Sequence, residues 1–83
     1  MFHVYILKGA SGRHYIGQTS DLQARLVQHQ QGHTYTTRRL GGEIILLASR
    51  AFETRSEALA TERILKSWKN PKKAEEYLLR ENG

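Results

Sequence analysis

Phe2-His3-Val4-Tyr5-Ile6-Leu7-Lys8, then Gly9-Ala10-Ser11-Gly12, then Arg13-His14-Tyr15-Ile16-Gly17-Gln18, is the stretch that decides the fold. Two runs rich in β-branched and aromatic residues flank a glycine-bearing turn, which is the signature of a β-hairpin. Side chains alternate across a strand, so Phe2, Val4 and Ile6 take one face and His3, Tyr5 and Leu7 the other. Whether Tyr5 and Tyr15 share a face depends on register. They do so only if paired residue numbers sum to an even number. A three-residue loop pairing Lys8 with Gly12 satisfies this and sets Tyr5 opposite Tyr15. A four-residue loop pairing Lys8 with Arg13 separates them. The shared face is the expectation, with Arg25 and Glu62 near it.

Working outward, Ser20-Asp21-Leu22-Gln23 matches a capping box, with Ser20 as N-cap and Gln23 reaching back. The helix it opens runs through Leu22, Leu26 and Val27 and stops near Gly32. His33 to Gly42 is polar and basic, carries Arg38-Arg39, and reads as an exposed loop. Glu43 to Phe52 holds Ile44-Ile45-Leu46-Leu47-Ala48, apolar on both faces, which points to the central, most buried strand. Thr54-Arg55-Ser56-Glu57 is a second capping box, and its helix carries Ala58, Leu65 and Trp68 on an apolar stripe. Asn70-Pro71 ends that helix and starts a third through Tyr77, Leu78 and Leu79. The order is ββαβαα. This is an α+β fold, a small three-stranded sheet of N-terminal hairpin plus buried third strand, flanked by helices.

Eighty-three residues support one modest core, so residues 1–83 read as a single domain. No repeat, low-complexity tract or linker interrupts them. Without cysteine there is no disulfide, thiolate metal site or cysteine nucleophile. No apolar run approaches the roughly 20 residues that cross a bilayer. Met1-Phe2-His3-Val4-Tyr5 lacks the features of a signal peptide, so a cytoplasmic location is expected and no membrane partner. Thirteen Lys and Arg against eight Asp and Glu give a net charge of +5. Such a surface favours a polyanion, of which nucleic acid is the commonest.

Several residues could carry chemistry. Tyr5 and Tyr15 can be a cross-strand aromatic pair, or their hydroxyls can hold a water and bond a phosphate oxygen. Arg25 and His29 lie i, i+4 on one helix face. They read either as a surface pair or as a phosphate fork beside a group that passes protons near neutral pH. His29 and His33 also form H-x-x-x-H, but no glutamate follows His29 as in a zinc H-E-x-x-H helix. Glu62 borders the apolar stripe formed with Ala58, Leu59 and Leu65, and Lys66 stands at its i+4. It is either half of an exposed ion pair or a ligand for a hard cation such as magnesium. Asp21 and Glu57 sit where a carboxylate favours a helix N-terminus, so neither needs to be a ligand.

Together these positions resemble the GIY-YIG domain of homing endonucleases, some restriction enzymes and the N-terminal incision domain of the excision-repair nuclease UvrC. The chain is most similar to small stand-alone bacterial members, over roughly Phe2 to Trp68. Val4-Tyr5-Ile6 stands in place of Gly-Ile-Tyr, aligned on its tyrosine, and Tyr15-Ile16-Gly17 is intact. Arg25 and His29 fall where the family has its helix-borne arginine and its histidine or tyrosine. Glu62 matches the metal-ligand glutamate, and Asn70 falls near a polar position that varies.

The resemblance implies a DNA endonuclease or exonuclease acting in repair or processing, with one divalent cation, magnesium or manganese, on Glu62. Arg25 would stabilise the pentavalent transition state. Tyr5, its proton drawn toward His29, would serve as base for the attacking water, and Tyr15 would position it. A 5′-phosphate and a 3′-hydroxyl are the implied products. Arg13, Arg25, Arg38, Arg39, Lys66 and Lys69 are candidate phosphate contacts. The rivals are a non-catalytic nucleic-acid-binding module and a nuclease domain active only beside a partner protein.

Overall fold

A computed structural model describes residues 1–30 and 44–80. Strands β1 (Phe2–Gly9) and β2 (His14–Thr19) form the predicted hairpin. Helix α1 (Leu22–Gln30), strand β3 (Ile44–Phe52), and helices α2 (Arg55–Trp68) and α3 (Pro71–Leu79) follow, giving ββαβαα. The sheet is antiparallel throughout, in the order β2-β1-β3.

The hairpin closes on a three-residue loop, one position later than predicted. Gly9 N donates to Arg13 O and Gly12 N to Gly9 O, both at 2.9 Å. Gly12 takes φ 89°, the positive-φ site that a three-residue hairpin loop reserves for its last residue. That requirement selects Gly12 as loop residue rather than strand partner. Tyr5 therefore pairs with Gly17, and Tyr15 with Leu7. The pair sum stays even, so the two tyrosines share a face, diagonally instead of directly opposite.

The expectation of a central third strand is overturned: β1 is central and β3 is an edge. Val4, Tyr5, Ile6 and Leu7 are at most 1% exposed, whereas Ile45 is 55% exposed. The two-sided apolar run has another cause. Ile6 pairs with Ala48 but Leu7 with Leu46, so a bulge leaves Leu47 as the extra residue. The bulge changes which residues face each side midway along β3. Ile44 thus packs with Tyr5 and Leu7, while Ala48 packs with Val4 and Ile6.

Two cores result, one on each face of β1. Val4, Ile6 and Ala48 meet Ala58 and Leu65 of α2 and Ala74 and Leu78 of α3. On the other face, Tyr5 and Leu7 meet Tyr15, Ile44, and Leu22 and Leu26 of α1.

The helix ends are set by local hydrogen bonds. Thr54 and Glu57 form the predicted reciprocal capping box of α2. Asn70 Oδ1 accepts from Lys73 N at 3.1 Å, with Pro71 opening α3. For α1 the predicted Ser20–Gln23 box gives way to Asp21, whose Oδ1 accepts from Ala24 N at 3.1 Å. Thr19 Oγ1 accepts from Asp21 N at 3.1 Å, fastening the end of β2 to the start of α1. A carboxylate at the N-cap is also favoured by the helix dipole, which explains why Asp21 wins over Ser20.

Candidate active site

The even register puts Tyr5 and Tyr15 on the α1 side of the sheet, and α1 delivers His29 to the same place. The three rings form a triangle. Centroids are 6.1 Å apart for Tyr5–Tyr15 and Tyr5–His29, and 5.7 Å for Tyr15–His29. Tyr5 Oη lies 3.4 Å from His29 Nε2. His29 is 2% exposed, so it is a buried residue and not half of a surface pair with Arg25. Arg25 is half-buried one turn earlier on α1.

Gly17, opposite Tyr5, makes this packing possible. A Cβ there would stand 2.8 Å from both Tyr5 Oη and Tyr15 Cε2. Real Cβ atoms do not approach so closely, so only glycine leaves room for both rings. Gly17 lies in the Tyr15-Ile16-Gly17 motif, and its role follows from the observed register, which pairs it with Tyr5 in place of Tyr15.

Burial controls the titration of Tyr5 and His29. It is the main cause that pushes the Tyr5 phenol well above its ordinary value, and Tyr15 and Glu62 add to it. The Arg25 charge opposes the shift. His29 is lowered from 6.5, first by burial and then by the Arg25 charge. At neutral pH the imidazole is therefore neutral, with one ring nitrogen able to accept a proton. A resting phenolate is disfavoured, and a ready acceptor stands beside the phenol.

Glu62 acts on this cluster from α2 through its charge. Its Oε2 pairs with Lys66 Nζ at 2.7 Å, and its side chain is 17% exposed. Lys66 Nζ also lies 5.9 Å from the centre of the Tyr15 ring, so one lysine links the carboxylate to the tyrosines. Glu62 lines a hollow of about 200 Å³ with Leu59, Arg63 and Lys66. Among the described residues there is no group of three His, Asp or Glu that could hold a metal. Asp21 and Glu57 are engaged as caps. Glu62, itself paired with Lys66, could offer a cation a single protein carboxylate, with waters and phosphate completing its shell.

Of the other candidates, Lys66 and Lys69 share a cleft beside Tyr15. Exposed Arg13 stands at the hairpin turn. Arg38, Arg39 and His33 lie outside the described residues. His14, on the rim of the Tyr15 cleft, was missed, because its place depends on the packing of α2 against β2.

Residues 1–76 match the family model described as the GIY-YIG catalytic domain. A UPF0213 protein of Streptococcus pneumoniae serotype 4 is 37% identical over 78 residues, spanning 92% of this chain and 76% of the relative. A UPF0213 protein of Halobacterium salinarum is 32% identical over 62 residues, 75% of this chain and 80% of its own length. The solution NMR structure of a UPF0213 protein from Bacillus halodurans superposes with a TM-score of 0.58 at 34% identity. It covers 96% of this chain and 86% of that one.

Proposed function

The chain belongs to the GIY-YIG catalytic domain family, and on that premise we propose that it is a metal-dependent nuclease hydrolysing phosphodiester bonds in DNA, with a role in repair or processing. The observation that carries the reading is the Tyr5–Tyr15–His29 triangle, in which Tyr5 and His29 are buried and the Tyr5 hydroxyl lies 3.4 Å from a neutral imidazole.

Tyr5 acts as a proton relay. As the attacking water bonds to phosphorus, its proton passes to Tyr5 Oη while the tyrosine's own proton passes to His29 Nε2. This avoids a free phenolate, which the raised phenol would make costly. Tyr15 holds the water or a phosphate oxygen. Arg25 offers its guanidinium to the phosphoryl oxygens as charge grows. The bond to the 3′-oxygen breaks, and that oxygen takes a proton from solvent, leaving a 3′-hydroxyl and a 5′-phosphate. Glu62 would hold a magnesium or manganese ion, which when bound supplies Lewis-acid stabilisation of the leaving oxygen.

The closed Glu62–Lys66 pair favours one alternative, a binding module that does not cut. The two are separated by incubating the protein with duplex, single-stranded and branched DNA, with magnesium or with chelator, beside Glu62→Ala. The parent should cut only with the metal. Glu62→Ala should lose cleavage yet bind DNA as well or slightly better, since a negative charge is removed. A Glu62→Ala variant cutting at the parent rate contradicts the metal assignment, and a parent that binds without cutting favours the alternative.

A further inference from the structure

A cleft of about 350 Å³ opens beside Tyr15 at the β2 side of the sheet. Its floor is apolar. Leu65 is buried at the bottom, with half-buried Ile16 and Pro71 beside it. Exposed His14, Lys66 and Lys69 form the rim, and no carboxylate is among the lining residues. Tyr15 and Lys66 belong to both this cleft and the candidate active site.

Lys69 has a second peculiarity. It ends α2 at φ 52°, ψ 36°, its N–H donating to Lys66 O. Helices usually place glycine in this left-handed position, because a side chain there costs backbone energy. Lysine therefore occupies a site where glycine would be the easier choice. It is the one non-glycine residue with positive φ among the described residues. Strain accepted at the rim of a cleft is a reason to look for a use of the side chain.

We propose that this cleft receives a nucleobase unstacked beside the scissile phosphate, with Lys69 holding the adjoining backbone phosphate. This rests on reading the neighbouring site as one that processes nucleic acid. An apolar floor with a cationic rim fits a ligand that has a flat apolar body and an anionic group, and the volume is that of a small-ligand site. In a continuous duplex the faces of the bases are covered by their neighbours, and presenting one costs unpairing and unstacking that an unpaired or frayed nucleotide largely escapes. The substrate class is therefore single-stranded or branched nucleic acid, not intact duplex.

The test is equilibrium binding in chelator, where no strand is cut, followed by fluorescence anisotropy. The probes are a single strand, an abasic strand of equal length and the matching duplex, as DNA and as RNA. The parent should bind the base-bearing strand about tenfold tighter than the abasic one. Lys69→Gly relieves the left-handed backbone, so it should melt no lower than the parent. It should nonetheless weaken strand binding and reduce the slope of log K against log salt by about 0.7. His14→Glu, at the exposed rim, should weaken binding too. Equal affinity for base-bearing and abasic strands, preference for duplex, or Lys69→Gly binding like the parent would each overturn the proposal. Cleavage with magnesium is scored separately. Base-dependent binding without cutting would keep the cleft and remove the nuclease reading, and cutting with base-indifferent binding would do the reverse.

Discussion

Val4 and Ile6 on one face of β1, and Tyr5 and Leu7 on the other, are all at most 1% exposed, yet the two faces bury different chemistry. The first meets an aliphatic core of alanine and leucine from α2 and α3. Each large apolar side chain there contributes about 1.5–3 kcal/mol by leaving water. The second meets a phenol, an imidazole and, at its border, a guanidinium. Burying such groups costs free energy unless they find partners, and here they find one another. The aliphatic face can thus be read as scaffold and the aromatic face as the face it supports. Substitutions on the two should separate stability from activity.

Ile6→Ala should give the largest stability change, a loss of about 2–5 kcal/mol in urea unfolding, because it opens a cavity in the aliphatic core. The fraction that remains folded should keep its cleavage rate. A small stability loss with a large rate loss would break the comparison.

Gly17→Ala comes next, at about 1–3 kcal/mol for overpacking. Its added methyl would press on the Tyr5 hydroxyl and the Tyr15 ring, so cleavage should fall further than stability does. Equal folding and activity to the parent would mean that the rings tolerate displacement.

A smaller effect should appear with pH. Folded His29 has a lowered pKa, so the unfolded chain binds more protons between that value and 6.5. Stability should therefore fall as pH drops below 6.5, and cleavage should rise with pH as His29 loses its proton. Urea midpoints and single-turnover rates across this range check both. His29→Phe should flatten its share of the stability slope, and a slope unchanged in that variant would remove the assignment.

The smallest change expected is Tyr15→Phe, which removes a positioning hydrogen bond of about 1 kcal/mol, roughly a tenfold or smaller rate loss. A larger loss would move Tyr15 from positioning water to proton transfer.

Much of this contrast was legible in the sequence. The hairpin, the Thr54–Glu57 box and the Asn70-Pro71 junction are local patterns that hold in the fold, whereas the equally local Ser20–Gln23 box loses to Asp21 one position on. The shared tyrosine face followed from a three-residue loop, which keeps the pair sum even at either position. Most of what else escaped depends on long-range pairing. Ile44 to Ala48 looked central because it is apolar on both faces, but a bulge at Leu47 achieves that on an edge strand. Direct pairing of Tyr5 with Tyr15 failed because Gly12 was needed for positive φ in the loop. The depth of His29 was hidden because helical spacing places it beside Leu22 and Leu26 without saying what covers it. Gly17 and His14 gained meaning only once their neighbours across the sheet and on α2 were known.

On the proposed function, the Tyr5 hydroxyl serves chemistry and not the core. The direct test is Tyr5→Phe, with single-turnover cleavage and urea unfolding measured on the same preparation. The phenyl ring keeps the packing, and the lost contact to His29 Nε2 is long at 3.4 Å, so stability should change by at most about 1 kcal/mol. Cleavage should fall by roughly 10²–10⁴-fold, the range for losing acid–base help. A Tyr5→Phe protein that folds and cuts like the parent would contradict the account and leave water activation to the metal ion alone.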